Sequence, residues 1–261
     1  MKKILITGKG SYIGTHVRDE LRKHTDKFYV EELDVTGNEW KKIDFSKYDT
    51  IYHVAGIAHI RETKENAYLY YKVNRDLAVE IAKKAKDEGV RHFIFMSSMS
   101  VYGLVQSEAP ITIETEPSPK TNYGKSKNEA EKLLASLESD KFKICIIRPP
   151  MVYGENSPGN LSKLIKVVKI IRMFPTIQNK RSYIDVNVLS TYISEIIEGD
   201  ERGIYLPQNN DYLCTSSYIF NLSDSMNINV HKISIFNNLL QFLIGKNKMV
   251  SKIFGNLYYE Q

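Results

Sequence analysis

Only two cysteines, Cys145 and Cys214, occur in 261 residues. That is too few for a disulfide framework, and Cys145 sits in a strand-like run where a buried thiol is the plain reading. No stretch approaches the ~18 apolar residues of a spanning helix. The four residues Ile4 to Thr7 before Gly8 are too short for the core of a signal peptide. These absences place the chain in the cytoplasm. Zinc-ligand spacings, nucleic-acid motifs, repeats and low-complexity tracts are missing, and none of the six scattered histidines is assigned to a metal. The formal charge of +5 is modest and the lysines are dispersed, which suits an enzyme handling anionic nucleotides better than a duplex-binding protein.

What is present is the composition of a globular protein, 42% hydrophobic and 26% charged. The length allows one domain, or one domain with a small second lobe. Ile4 to Ile6 reads as a buried strand, followed by Gly8, Gly10 and Gly14 and a helical pattern from Tyr12 to about His24. Further strands read at Tyr29 to about Leu33, Thr50 to Val54, His92 to Ser97 and Phe142 to Ile147, with a short helix or loop at Trp40 to Tyr48. A long helix is expected from about Glu65 to Glu88, stopped by Gly89, and another from Tyr123 to Leu137. This alternation predicts an α/β fold: a Rossmann-type, doubly wound parallel sheet covered on both faces.

The expected boundaries are a dinucleotide-binding domain over 1–153 and a small, shortened C-terminal substrate lobe over 154–261, with about 182–200 returning to the first domain. Beyond Tyr153, helices read at Asn160 to about Met173 and Val188 to Glu198. The apolar stretch Phe236 to Phe254, carrying Lys246, Lys248 and Lys252, is read as a core-packing helix with a solvated basic edge rather than a membrane-surface helix.

Two features carry chemistry. A strand, a glycine-rich turn and a helix in that order let backbone N–H groups and a helix N-terminus approach a pyrophosphate. Tyr123 and Lys127 share one face of a helix, where a cation can lower the pKa of a phenol. A free phenol titrates near ~10, so acid/base work at neutral pH needs a shift of roughly three units, about 4 kcal/mol. A second pair, Tyr68 and Lys72, has the same spacing, but it precedes any serine-bearing strand end and reads as a surface or packing residue. Tyr123 instead follows Ser97 and Ser98 at the end of an apolar run. Gly8, Ala55, Ser98 and Pro149 all fall beyond strand ends, where such sheets bind ligands.

Collectively these motifs resemble the extended short-chain dehydrogenase/reductases, in the branch of NAD-dependent nucleotide-sugar epimerases, dehydratases and 4-keto-sugar reductases. The resemblance covers roughly residues 1 to 190. Thr7-Gly8-Lys9-Gly10-Ser11-Tyr12-Ile13-Gly14 is similar to the family's glycine turn, except that Ser11 stands at the middle glycine. The departure leaves two readings, a hydroxyl substituting for an N–H contact or a weaker hold on the cofactor. His53-Val54-Ala55-Gly56 resembles the segment lining the cofactor, Asn74 matches an asparagine beneath the active site, and Pro149 follows the next strand. Ser97-Ser98-Met99-Ser100-Val101-Tyr102-Gly103 resembles the strand end whose serine holds the sugar 4-oxygen, and Tyr123-Gly124-Lys125-Ser126-Lys127 the catalytic helix.

The resemblance implies Tyr123 as acid/base, Lys127 as pKa tuner and ribose ligand, and Ser98 as oxygen orienter. Substrate contacts are implied for Ser98 and Ser100, for Asn160 in Pro158-Gly159-Asn160-Leu161, and for Arg181 on the diphosphate. Met99 and Ser100 stand where dehydratases carry an Asp-Glu pair, so dehydration is not implied. Asp34, near the end of the second strand, is the candidate for the adenosine ribose. The acidic neighbourhood of Glu31, Glu32 and Asp34 favours NAD over NADP, while Lys9 leaves NADP open. The expected function is a nucleotide-sugar 4-epimerase acting on a UDP-linked substrate. The alternatives are a 4-keto-sugar-nucleotide reductase using the same residues and a non-catalytic nucleotide sensor of the same fold. The resemblance also implies a homodimer through the helices bearing Asn74 and Tyr123.

Overall fold

A computed structural model describes residues 1–58, 60, 62–155, 157 and 170–261. The chain forms two compact units, one built from residues 1–103, 116–150 and 185–207, the other from 104–115, 151–184 and 208–261.

The first unit is a six-stranded parallel sheet. Its strands are β1 (Lys2–Thr7), β2 (Phe28–Leu33), β3 (Thr50–His53), β4 (His92–Met96), β5 (Lys143–Ile147) and β9 (Gly203–Tyr205), in the order β2-β1-β3-β4-β5-β9. β3 and β4 are buried along their whole length, which is why they read as apolar runs without alternation. Between β2 and β3 lies only a single 3-10 turn, Glu39–Lys42, so β2 is the sheet edge.

Side chains alternate across each strand. Leu5, Ile51, Phe93, Phe95, Ile144 and Ile146 meet α3 (Leu77–Asp87) and α4 (Asn122–Ala135) through Ala78, Ile81, Ala82, Ala85, Ala130 and Leu134. The opposite side chains, Ile4, Ile6, Tyr52, Ile94, Cys145 and Ile147, are fully or almost fully buried. That face lies under α1 (Tyr12–Leu21) and α5 (Val186–Gly199), which pack on each other. Gly89 adopts φ +83° directly after α3 and ends it.

The expected continuous helix from Glu65 to Glu88 is interrupted. α2 (Ala67–Tyr70) runs into a π-helical turn, Tyr71–Asp76, before α3 resumes an ordinary pitch. The wide turn is what faces Asn74 inward, fully buried.

In the second unit β6 (Met151–Tyr153) pairs with β8 (Tyr183–Asp185), and β7 (Met173–Pro175) pairs in parallel with β10 (His231–Ile233). The helix expected from Asn160 to about Met173 lies largely outside the described residues, and its last expected residue belongs to β7. A small aromatic core joins Phe174 to Phe220 of α6 (Thr215–Ser225) and to Phe254 of α8 (Lys248–Phe254). Between them lies α7 (Asn237–Leu243), none of whose residues is buried. That contradicts the core-packing reading for the first half of the Phe236 to Phe254 stretch. Among the described residues no helix is long and apolar enough to cross a membrane.

Candidate active site

The site begins where β1 ends. Gly8 has φ +106°, and a Cβ there would stand 2.8 Å from the Ala55 nitrogen, so glycine is required for the β1 turn to approach the β3 turn. Gly8 and Lys9 donate their N–H groups to the Leu33 carbonyl, and Val54 and Ala55 donate theirs to Thr7. The ends of β1, β2 and β3 are thereby fixed to one another. Gly10 has φ +75° and open space where a Cβ would be. The Ser11 side chain makes no capping hydrogen bond to the first turn of α1, and Tyr12, Ile13 and Gly14 form that helix N-terminus. This cradle fits a dinucleotide diphosphate.

The Ser11 side chain packs inward. Its hydroxyl lies 2.5 Å from the position of a Cβ on Gly14, and is buried without a hydrogen-bond partner among the described residues. Asp34 closes its own turn by accepting from the Thr36 N–H and hydroxyl, which holds its carboxyl below the usual range. The carboxylate that reaches the glycine turn is Glu32, which accepts from the Gly10 N–H at 3.3 Å and pairs with Arg18 of α1 at 2.6 Å.

Asn74 is placed as the sequence suggested but is not left free. Its side chain accepts from the Ile57 N–H at 2.8 Å, donates to the Ile57 carbonyl at 3.0 Å, and reaches the Ser126 hydroxyl at 3.3 Å. It therefore clamps the Val54 to Ile57 segment onto α4 and acts on the cradle through the backbone. A Cβ on Gly56 would stand 2.9 Å from Asn74 Oδ1 and 3.4 Å from Lys127 Nζ, so glycine keeps the segment close to both.

Ser98 and Tyr123 come together from two elements. After β4 the chain enters a 3-10 turn, Met99–Tyr102, whose first N–H groups are capped by Ser98: its hydroxyl accepts from the Ser100 N–H at 3.1 Å. The Ser100 hydroxyl lies 3.1 Å from that of Ser98, and the Pro149 carbonyl accepts from the Met99 N–H, so the loop after β5 supports the turn. α4 starts at a Thr121 cap and presents Tyr123 in its first turn. The half-buried Tyr123 ring meets Tyr70 edge-on. Burial raises the phenol pKa, and a hydrogen bond with Ser98 pulls it back down. Tyr68, by contrast, is exposed.

Lys127 is buried one turn further on. Its ammonium donates to the Met96 carbonyl at 2.7 Å and stands over the Phe95 ring, and burial pulls its pKa down to about 7. The phenol is thus tuned by burial and by Ser98, and the lysine's own charge is what its surroundings weaken. His53 sits beside it, stacked on Phe93 and Phe95, with Nδ1 2.7 Å from the Thr7 hydroxyl and Nε2 unpartnered among the described residues. Burial drives its pKa down to about 3, so the ring is neutral.

A buried network beneath these residues escapes any reading by spacing. Glu131, one turn after Lys127, accepts from Arg148 of the β5 loop at 2.7 Å and from the Ser97 hydroxyl, and Arg148 also donates to the Tyr102 hydroxyl at 2.8 Å. It ties α4, the end of β4, the end of β5 and the Ser98 turn into one body. The only available signal was a charged pair, Glu131 and Arg148, inside otherwise apolar patterns.

In the second unit, Arg181 donates to the Gly255 carbonyl at 2.9 Å, and burial lowers its pKa to about 10. No carboxylate among the described residues pairs with it. Asn160 lies outside the described residues. No group of three His, Cys, Asp or Glu side chains among the described residues is placed to hold a metal.

The chain is 30% identical to a UDP-glucose 4-epimerase of Vibrio cholerae, over 98% of this chain and 86% of that one. Its fold matches a UDP-glucuronic acid 4-epimerase of Bacillus cereus solved with NAD, with TM-score 0.74 and 18% identity, over 89% of this chain and 87% of that one. It equally matches a dTDP-4-dehydrorhamnose reductase of Bacillus anthracis solved with NADP, with TM-score 0.74 and 16% identity, over 100% and 91%. At such identities the structural likeness establishes the shared fold. Residues 4–203, which span the glycine cradle, the Ser98 turn and the Tyr123 helix, match the family model described as NAD dependent epimerase/dehydratase, and the chain belongs to that family.

Proposed function

We propose that the protein is a nucleotide-sugar 4-epimerase acting on a UDP-linked sugar by transient oxidation at C4. What carries this reading is the packing of the first turn of α4, which bears Tyr123, on the Ser98 turn, with Lys127 buried one helical turn further on. Ser98 orients the sugar 4-oxygen, and Tyr123 takes the proton from that oxygen and later returns it. The cradle of Gly8, Gly10, Ser11, Tyr12, Ile13 and Gly14, with Val54, Ala55, Gly56 and Lys127, holds NAD, which supplies reversible hydride acceptance. Tyr123 keeps its proton in the structure described, because burial disfavours the phenolate; a nearby cation makes it a competent base. Arg181 is assigned to the substrate diphosphate on its uncompensated charge, and Asn160 to the same group on its motif.

The test is incubation with UDP-glucose and with UDP-N-acetylglucosamine, with and without NADH or NADPH. The expected result is interconversion of 4-epimers with no net cofactor oxidation, reduced by roughly 10²-fold or more in Tyr123→Phe. Stoichiometric cofactor oxidation on a 4-keto sugar, with no epimer formed, replaces this reading with the reductase. Full turnover by Tyr123→Phe removes the role assigned to that residue.

A further inference from the structure

The region around α7 presents an inverted amphipathic surface. Ile235, Phe236, Leu239 and Phe242 are 81%, 52%, 55% and 62% exposed, and Met249 at the start of α8 is 72% exposed. Phe236, Leu239 and Phe242 recur every third residue, so they lie along one side of the helix. That side points outward. On the other side Leu240, Leu243 and Ile244 are partly buried, and two polar contacts hold the segment: the Asn237 amide donates to the Thr176 hydroxyl at 2.9 Å, and the Ser251 hydroxyl of α8 accepts from the Gly245 N–H at 2.8 Å. Single exposed apolar residues need no explanation, whereas a cluster of large ones marks an interaction surface.

The charge around it indicates the partner. Between Asp224 and Glu260 the chain has no acidic residue and four lysines, Lys232, Lys246, Lys248 and Lys252. None of the four enters an ion pair among the described residues. Lys246 Nζ lies 3.3 Å from the centroid of the Phe242 ring, an arrangement in which an apolar body carries a cation at its rim. Bulky apolar side chains bordered by unpaired lysines, with no acidic residue among them, complement a surface that is apolar inside and anionic at its face.

We propose that α7, α8 and the turns around them dock this protein on an anionic lipid bilayer, with Phe236, Leu239 and Phe242 entering the headgroup boundary and the lysines meeting lipid phosphates. The seven-residue α7 lies in the interface and does not span it. The docking is independent of the reaction assigned above.

Vesicle co-sedimentation of the full chain tests it. Binding to mixed phosphatidylglycerol and phosphatidylcholine vesicles is expected, with little binding to pure phosphatidylcholine, and raised salt should weaken it. Each of Lys246→Gln, Lys248→Gln and Lys252→Gln should weaken partitioning roughly fivefold. Leu239→Asp with Phe242→Asp should abolish it without lowering the melting temperature, because neither side chain is buried. Absence of binding to the anionic vesicles overturns the proposal, as does binding indifferent to the three lysine substitutions. A dimer in sedimentation equilibrium that Phe242→Asp dissociates, with vesicles left unbound, assigns the face to a second copy of this chain instead.

Discussion

Gly124 sits between the two halves of the proposed catalytic pair. A Cβ on it would stand 2.5 Å from the Ser100 carbonyl oxygen and 3.2 Å from Pro119 Cβ, so α4 rests directly on the Ser98 turn only because this position has no side chain. Gly124→Ala should separate Tyr123 from Ser98 by a fraction of an ångström to an ångström. The expected outcome is a kcat lower by about 10- to 100-fold with NAD affinity retained, checked by steady-state kinetics beside a cofactor titration. An unchanged kcat would mean that the turn follows the helix without loss. The pair itself was legible in the sequence because Tyr123 and Lys127 are neighbours in the helical repeat. The role of Gly124 was not, since its partner lies on a turn far away along the chain. Ser11 shows the same limit: its position was identified by motif, but the direction of its hydroxyl depends on packing against Gly14.

Among elements, the decisive tie is the buried ion pair of Glu131 and Arg148, both 4% exposed. Glu131→Gln leaves a guanidinium buried without its counter-charge, and breaking such a pair costs about 3–5 kcal/mol. Denaturant unfolding should register that loss, together with a fall in kcat, because the pair also holds Ser97 and Tyr102 on either side of Ser98. A loss within about 0.5 kcal/mol, the range of ordinary surface substitutions, would show that water or a rearranged partner neutralises Arg148. The order of the first five strands in the first unit was readable, because buried parallel strands are apolar runs and the intervening helices repeat at their own period, whereas the three-residue β9 was not. The π-helical turn at Tyr71–Asp76 was not, because one extra residue in a helix leaves no compositional mark. Nor does periodicity say which way an apolar stripe faces, and the side of α7 that bears Leu239 and Phe242 faces outward.

At the scale of the whole molecule, three buried bases set the response to pH. His53 and His92 have folded pKa values lowered to about 3 and about 4 by burial, and Lys127 to about 7. In each case the unfolded chain binds the proton more tightly, so stability rises with pH across the gap between folded and unfolded values. The histidines make stability fall as pH drops from about 6.5 toward 3–4, and Lys127 makes it climb from about 7 toward 10. Urea midpoints measured from pH 4 to 9 should therefore increase throughout, and Lys127→Met should flatten the alkaline limb while sparing the acid one. An alkaline limb that stays steep in that variant would assign it to another group.

The first unit is assembled from three separate stretches, and the last of them, residues 185–207, brings both α5 and β9. A ribosome that has released only the first 150 residues has therefore delivered a sheet whose β5 border is open and whose Ile94, Cys145 and Ile147 face still lacks α5. Shelter for that nascent intermediate has to come from elsewhere until translation has passed the entire middle of the second unit.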